Sequence, residues 1–522
     1  MAKTQGANQI WPFRLIAMTI LVSLGGIIFG YGGIGQIGGF LPMPDYVQRF
    51  GMTKDELGDT RQGTIVGLLM IGALVGSLIA GPLADIIGRK HSISIWALVY
   101  MTGSLVELTS TREWAQIAVG RTVEGFGIGG LSILVPMYQG ECSPKDARGV
   151  IISMYQLFIT LGILLASLVN LGTKHIGGSA SWRITIAVGT IWPLILAIGV
   201  QFLGESPRWD IRRNRVDRAE RMVAKLYQTN EDIRRELDEI YASVQQERSQ
   251  PKVSVSGIWR ERTILRRIFV GVVLQMMQQL TGINYLFYFG TKLFSNMHVG
   301  DSYLTAVILG GANFFATLAG LWVTKRFGHR ASLILGGVWI GVWLMVRDCY
   351  FTVFLWPKWR PSPLFGCVVR LEMFICALCD ILTLQMYAFF GQYCIQQLCP
   401  LSPSATGTAM VAFSCLAIFG FATTWGPLTW VVCSEIFPTR WKAIGMGVAT
   451  ATNWAFNFLI GFFTTEITDR IHYGLGWVFA GAIICGSCFV WFCVHETAGK
   501  SLEAIDKEIL DGTRPWNSRK GQ

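Results

Sequence analysis

Runs with few or no charges recur along the chain, most of them close to the length of the roughly 20-residue helix that crosses a bilayer. Twelve stand near residues 15–34, 62–84, 91–108, 115–138, 150–171, 184–204, 268–293, 303–324, 331–346, 406–433, 443–465 and 474–494, numbered spans 1 to 12. A helix buried in a soluble core explains one such run but not twelve. In lipid a segment must satisfy its own backbone N–H and C=O groups, so the runs are expected to be helices. The pattern predicts an all-α membrane protein with twelve transmembrane helices. Span 1 is too long for a signal-peptide core and no small-residue cleavage site follows it, so it is expected to stay.

The polar stretches between the runs set the sidedness. Residues 205–267 hold 15 Lys/Arg against 11 Asp/Glu, and the turns 88-GRKH-91 and 325-KRFGHR-330 are also basic. With a cytoplasmic N-terminus all of these fall on one side, the positive-inside arrangement. That predicts a multi-pass plasma-membrane protein with both termini in the cytoplasm. Composition agrees: 52% of the 522 residues are hydrophobic and 15% charged, where soluble proteins carry roughly 25% charge. The net charge of +11 follows from sidedness, so no nucleic-acid partner is expected. Of the twelve cysteines, Cys376 and Cys379 form a CxxC with no second pair and no histidine cluster. No metal site or cofactor is expected.

The chain divides into a first half (1–204), a charged linker (205–267), a second half (268–495) and a tail (496–522). In the linker, 216-VDRAERMVAKLYQ-228 and 231-EDIRRELDEIYASVQQ-246 have apolar residues at helical spacing. They are expected to form amphipathic helices on the cytoplasmic face. The halves echo one another. The stretch 81-GPLADIIGRK-90 after span 2 matches 323-VTKRFGHR-330 after span 8. The stretch 136-PMYQGECSPKDARG-149 matches 430-WVVCSEIFPTRWKAIG-445, and 204-GESPR-208 matches 495-HETAGK-500. Two pseudo-symmetric six-helix bundles follow, with a substrate site at the midplane between them. The segment 347–405 breaks the order and holds six of the cysteines. A thirteenth crossing there would put 434-SEIFPTR-440 on the opposite side from 141-ECSPKDAR-148. The segment therefore reads as an extracellular or membrane-resting insertion, or as translated non-coding sequence.

Inside span 7 lies 278-QQLTGINYLFYF-289. Buried amides are costly unless partnered. On an ideal helix Gln278, Thr281, Tyr285 and Tyr288 fall within about 80° of one another. Asn284 lies off that stripe unless the helix loosens, and Gly282 is where loosening is cheapest. Amides both donate and accept hydrogen bonds, so the group suits a neutral, hydroxyl-rich ligand. Helix-to-helix bonding is the plainer reading for a single glutamine, and it weakens for two glutamines with an asparagine. Gln156 in span 5, Asn313 in span 8, Trp430 in 424-TWGPLTW-430 and Asn453 in span 11 add matching groups. Gly426–Pro427 reads as a hinge.

The chain resembles the sugar porter family of the major facilitator superfamily, and its fungal hexose-transporter members most closely. The resemblance rests on PxYxxExxPxxxRG (Pro136, Tyr138, Glu141, Pro144, Arg148, Gly149), on QQxxGxN (Gln278, Gln279, Gly282, Asn284), on EIFPTR at 435–440 and on the tail 496-ETAGKSLEAID-506. It implies sugar contacts at Gln156, Gln278, Gln279, Asn284, Asn313, Trp430 and Asn453, to which the polar stripe adds Tyr288. Glu141, Arg148, Glu435 and Arg440, joined by Asp85 and Arg89, are expected to gate the inner side by ion pairs across the helix ends. Departures bear on strength. Ile86 replaces an arginine of the family pattern, Lys325 an acid and His329 an arginine, so a weak gate is expected.

Proton-driven members of that family carry an acid in span 1, where this chain has Gly32 in 29-FGYGGIGQIGGF-40. Arg121 in span 4 remains, and Glu124 lies one helical turn on. The pair Arg121–Glu124 is expected to replace the missing partner, which favours facilitated diffusion over proton symport. Glu124 as a proton carrier is the alternative. No nucleophile–base pair stands out, so the expectation is a transporter of a hexose or pentose and not an enzyme. A transporter-like nutrient sensor and a product inactivated at 347–405 are the rivals.

Overall fold

The computed structural model describes residues 12–51, 59–227, 229–249, 261–288, 301–355, 403–438, 441–471, 475–500 and 502–518. Among them ten helices are long and apolar enough to cross a membrane. Span 3 is the helix Arg89–Leu108, which also carries Lys90 and Glu107. Span 7 is the helix Arg262–Gln279, continued by 283–288. These two complete the twelve, arranged as two bundles of six. Several helices overrun their apolar runs. Span 10, for instance, continues to Ile436, because charged residues at its end are partnered inside the protein and need not end the helix.

Among the described residues four spans are irregular, one of them span 6, which is interrupted at Thr190. Span 1 (Phe13–Phe40) carries a π-helical stretch over Phe29–Gly35. Span 10 has another over Phe421–Trp425, just before Gly426–Pro427. Proline lacks the N–H that would continue the ladder, and a π turn absorbs the mismatch. Span 7 breaks after Gln279, where Gly282 takes φ 71°, a left-handed conformation that glycine adopts at little cost.

The bundles touch at both ends. Spans 2 and 11 pack along their length, Gly63 and Gly67 against Phe462 and Phe458 at one end and Gly81 against Ala443 at the other. A Cβ on Gly81 would stand 2.9 Å from the Ala443 carbonyl oxygen. Spans 5 and 8 meet likewise, Gly310 against Leu164 and Gly149 beside Thr324 and His329. Between the halves lie the helices Pro207–Arg212, Val216–Leu226 and Asn230–Ser249. They share a small apolar core of Ile211, Ala219, Ile240 and Val244. Outward positions such as Phe13, Phe315, Leu335 and Phe202 are apolar and exposed, as a lipid-facing surface requires. The helix His329–Leu355 runs past span 9. The expected insertion falls largely on 356–402, which lies outside the described residues.

Candidate functional site

The break in span 7 turns its polar residues toward span 11. Asn453 is the hub, and it is fully buried. Its Nδ2 donates to Gln275 Oε1 and Gln278 Oε1, each at 2.7 Å. Its Oδ1 accepts from Gln279 Nε2 at 2.8 Å. Gln278 Nε2 donates to the carbonyls of Trp425 and Gly426 at 3.0 Å each, where the π stretch of span 10 gives way to the helix Gly426–Ile436. Past the break, Asn284 Nδ2 donates to Gln279 Oε1 at 2.8 Å. Gln278, Gln279, Asn284 and Asn453 thus form one connected amide network.

The remaining residues expected at the site join to different degrees. Gln156 of span 5 packs on Gly426 from the other bundle. Tyr155 stands edge-on to Trp430, ring centroids 5.9 Å apart. The first half therefore closes over the hinge of span 10. Asn313 is buried, and its Oδ1 has no hydrogen-bond partner among the described residues. Tyr288 lies beside Asn457, apart from Gln278. The single stripe expected on an unbroken span 7 is thereby divided at Gly282. Amides in this network are mostly satisfied by one another. A ligand hydroxyl inserted among them exchanges one hydrogen bond for another of similar strength, which permits binding without trapping.

On the side of the linker, the charged motifs pair mainly within each half. Arg89 Nε and Nη2 donate to the two Glu141 oxygens at 3.1 and 3.3 Å. Arg89 also pairs with Asp85 at 2.9 Å, and Ser206 Oγ donates to Glu141. In the second half His329 Nδ1 stands 3.6 Å from Glu435 Oε2, a longer pair that carries charge only when the imidazole is protonated. Pairs across the halves were expected from Arg148 and Arg440. Arg148 is buried and feels Glu435 electrostatically, while Arg440 lies outside the described residues. Lys442 faces both Glu141 and Glu435 and lies beside Gly140 of the first half. It went unremarked in the sequence, although it stands two residues past EIFPTR.

The paired motifs after spans 6 and 12 serve as caps. Glu205 accepts from the backbone N–H groups of Arg89, Lys90 and Ser206 at 2.9–3.3 Å. Glu496 accepts from those of His329, Arg330, Thr497 and Ala498 at 2.8–3.2 Å. Each carboxylate sits at the N-terminus of the helix in its own half, where orphan donors and the helix dipole favour an anion. Burial pushes the Glu205 carboxyl above its ordinary range, and the bonds from Ser206, Lys90 and Arg89 oppose that.

A second buried cluster lies within the first half. Arg121 Nη1 donates to Glu124 Oε2 and to the Gly32 carbonyl, both at 2.9 Å. Ser104 Oγ donates to the other Glu124 oxygen. Glu107, absent from the sequence reading, lies 3.8 Å from Arg121 Nε. All three charged side chains are fully buried. The place of the family's span-1 acid is occupied: a Cβ on Gly32 would stand 1.8 Å from the Tyr100 hydroxyl. At the end remote from the linker, Lys174 and Asp301 pair across the bundles, and Tyr303 donates to the Gly39 carbonyl at 3.0 Å.

Two six-helix bundles meeting over a buried amide network define a polytopic membrane carrier. The chain belongs to the sugar (and other) transporter family, whose sequence model matches residues 18–509. It is 34% identical to hexose transporter 2 of Kluyveromyces lactis over 509 residues, 96% of this chain and 83% of that protein. It is equally identical to the galactose transporter of Saccharomyces cerevisiae, over 96% of this chain and 82% of that one. In three dimensions it resembles the proton:xylose symporter XylE bound to 6-bromo-6-deoxy-D-glucose, with a TM-score of 0.77 at 22% identity over 94% of this chain and 98% of the other. The inward-open xylose transporter XylE from E. coli gives 0.66 at 21%, over 94% and 99%. The protein is a membrane transporter and not an enzyme.

Proposed function

We propose that the protein carries a monosaccharide across the plasma membrane by alternating access, with the linker and both termini in the cytoplasm. The observation that carries this is the amide network centred on Asn453. It joins the broken span 7, the hinge of span 10 and span 11 in one bundle, while Gln156 and Tyr155 approach from the other. Uncharged amides match sugar hydroxyls, and Trp430 offers an aromatic face to sugar C–H groups. The relatives named above are hexose and galactose transporters. Sugar bound here contacts both bundles, so closure is favoured only with the site filled. The charged networks on the linker side and the Lys174–Asp301 pair on the far side act as the two gates.

Facilitated diffusion is the reading favoured by Gly32. No acid stands in span 1, Tyr100 fills its place, and Arg121 is partnered by Glu124 and a carbonyl. One observation supports proton symport instead. Glu107 adds a second buried carboxyl to the same guanidinium, and like charges so confined favour sharing a proton.

The deciding experiment is counterflow and uptake of labelled glucose, galactose and xylose in vesicles containing the purified chain, with and without an imposed proton gradient. Sugar-specific counterflow supports the transporter, and its absence for every sugar, together with no growth rescue of a strain lacking sugar uptake, removes it. Uptake indifferent to the gradient supports diffusion. Gradient-driven accumulation lost in Glu107→Gln or Glu124→Gln, with counterflow retained, supports symport.

A further inference from the structure

A groove of about 590 Å³ opens beside the N-terminus of span 3, between the end of span 2, the end of span 6 and the first two linker helices. The transport reading gives it no role. Its wall is strongly basic. Arg218, Arg221 and Lys225 line it from the helix Val216–Leu226. Their spacing of three and four residues places them on one face, with Met222 beside them in the lining, while Ala219, Val223 and Leu226 are buried on another face. Lys90 and Arg215 complete the cationic lining. Two carboxylates share the groove. Glu205 is occupied by backbone N–H groups. Asp210 is set against Arg215 and Arg218. The lining keeps a net surplus of positive charge.

The groove is also continuous with the lipid-facing surface. Ile86, 66% exposed, lines it, and Phe202, 86% exposed, stands next to its lining residue Leu203. Ile86 is the position at which the family pattern carries an arginine. Here an apolar side chain sits at the rim of a basic groove, where acyl chains meet headgroups. A soluble anion has no use for such a rim, but a lipid presents a phosphate and a hydrocarbon chain together.

We infer that this groove binds the phosphate-bearing headgroup of an anionic phospholipid of the leaflet on the linker side, its acyl chain lying over Ile86 and Phe202. The bound lipid steadies the linker helices against the inner gate. Trp209, in the groove wall, donates from its indole Nε1 to the Asp85 carbonyl at 3.1 Å, and Glu205 accepts from the Arg89 N–H. Occupancy therefore favours the state closed on the linker side. The inference takes only sidedness from the proposed function, and its readout is independent of sugar.

The test is native mass spectrometry of the full chain taken from phosphatidylcholine vesicles with and without phosphatidylinositol. Each cation near an anionic surface contributes about fivefold in affinity. The expected results are preferential retention of phosphatidylinositol and at least a tenfold loss of it in Arg218→Gln/Arg221→Gln/Lys225→Gln. The control Arg262→Gln/Arg266→Gln, also exposed on the linker side, is expected to retain it. Should the triple variant fail to stay monodisperse, Arg221→Gln alone is expected to show a severalfold loss. Equal retention of the two lipids, or equal loss in the control, overturns the inference. So does displacement of the lipid by an equimolar soluble inositol phosphate, since the groove would then read free phosphate. Loss of sugar counterflow with lipid retention intact would count against the transport reading alone.

Discussion

Asn284 and Gln279 are five residues apart, yet the amide of one donates to the amide of the other at 2.8 Å. An unbroken helix does not set such residues face to face. The bond exists because the chain reverses locally at Gly282, with φ 71°. A Cβ at that position would also stand 2.1 Å from Phe479 Cδ2. Gly282→Ala is expected to lower thermal stability by about 1–3 kcal/mol through left-handed strain and the clash. Sugar binding should weaken with it. Ligand-dependent melting curves of the purified variant check both.

Asn453→Ala leaves Gln275 Oε1, Gln278 Oε1 and Gln279 Nε2 without their shared partner. Each lost hydrogen bond is worth about 1 kcal/mol net, and more where the partner stays buried. The expected outcome is a 10- to 100-fold rise in the sugar concentration for half-maximal uptake, with the chain still folded. Asn457→Ala, one turn on, should have a smaller effect. Uptake titrations on both variants decide it.

Arg89→Ala strips Glu141 of its bidentate partner in a buried site. Removing one member of such a pair costs about 3–5 kcal/mol, so the state closed on the linker side should lose most of its population. Cysteines introduced on the linker side of spans 4 and 10 would become more reactive to a polar maleimide. His329→Ala, in the longer second-half pair, should raise that reactivity less.

Gly32→Asp would restore the acid found in span 1 of proton-driven members, but Tyr100 occupies its space. The single variant is expected to fold poorly and to gain no proton-driven uptake. Gly32→Asp/Tyr100→Ala should recover folding. Fluorescence-detected size exclusion reports the first effect, and sugar accumulation under a proton gradient the second.

The pair Lys174–Asp301 makes closure on the far side sensitive to acid. The bond from Lys174 holds the Asp301 carboxyl below its ordinary range when the bundles meet, and the open state releases it. Its contribution is therefore present above the ordinary carboxylate range and fades as pH falls through the lowered value. Both side chains are partly solvated, so the effect is at most about 1 kcal/mol. The distance between spin labels placed on the far ends of the two bundles should lengthen at acid pH in the parent chain. In Lys174→Gln that pH-dependent component should vanish.

Much of this architecture is legible in the residues alone. Membrane helices are an unusually transparent code, because lipid offers no hydrogen-bond partners and each span must be both apolar and helical. Length and apolarity therefore marked the spans, and span 3 stands as a helix even with charges at its ends. The break at Gly282 was also legible, since a glycine inside a polar stretch is a weak point in a helix. Partners were not. Glu107 stands near the end of span 3 with no local partner, and only the packing of spans 3 and 4 set it near Arg121. Lys442 gained Glu141 of the first half only when the bundles closed. Local chemistry thus decided which segments cross the membrane and where span 7 gives way. The local pair Arg121–Glu124 was legible from its spacing, but only tertiary packing decided which charges meet across helices, because those partners are distant in sequence.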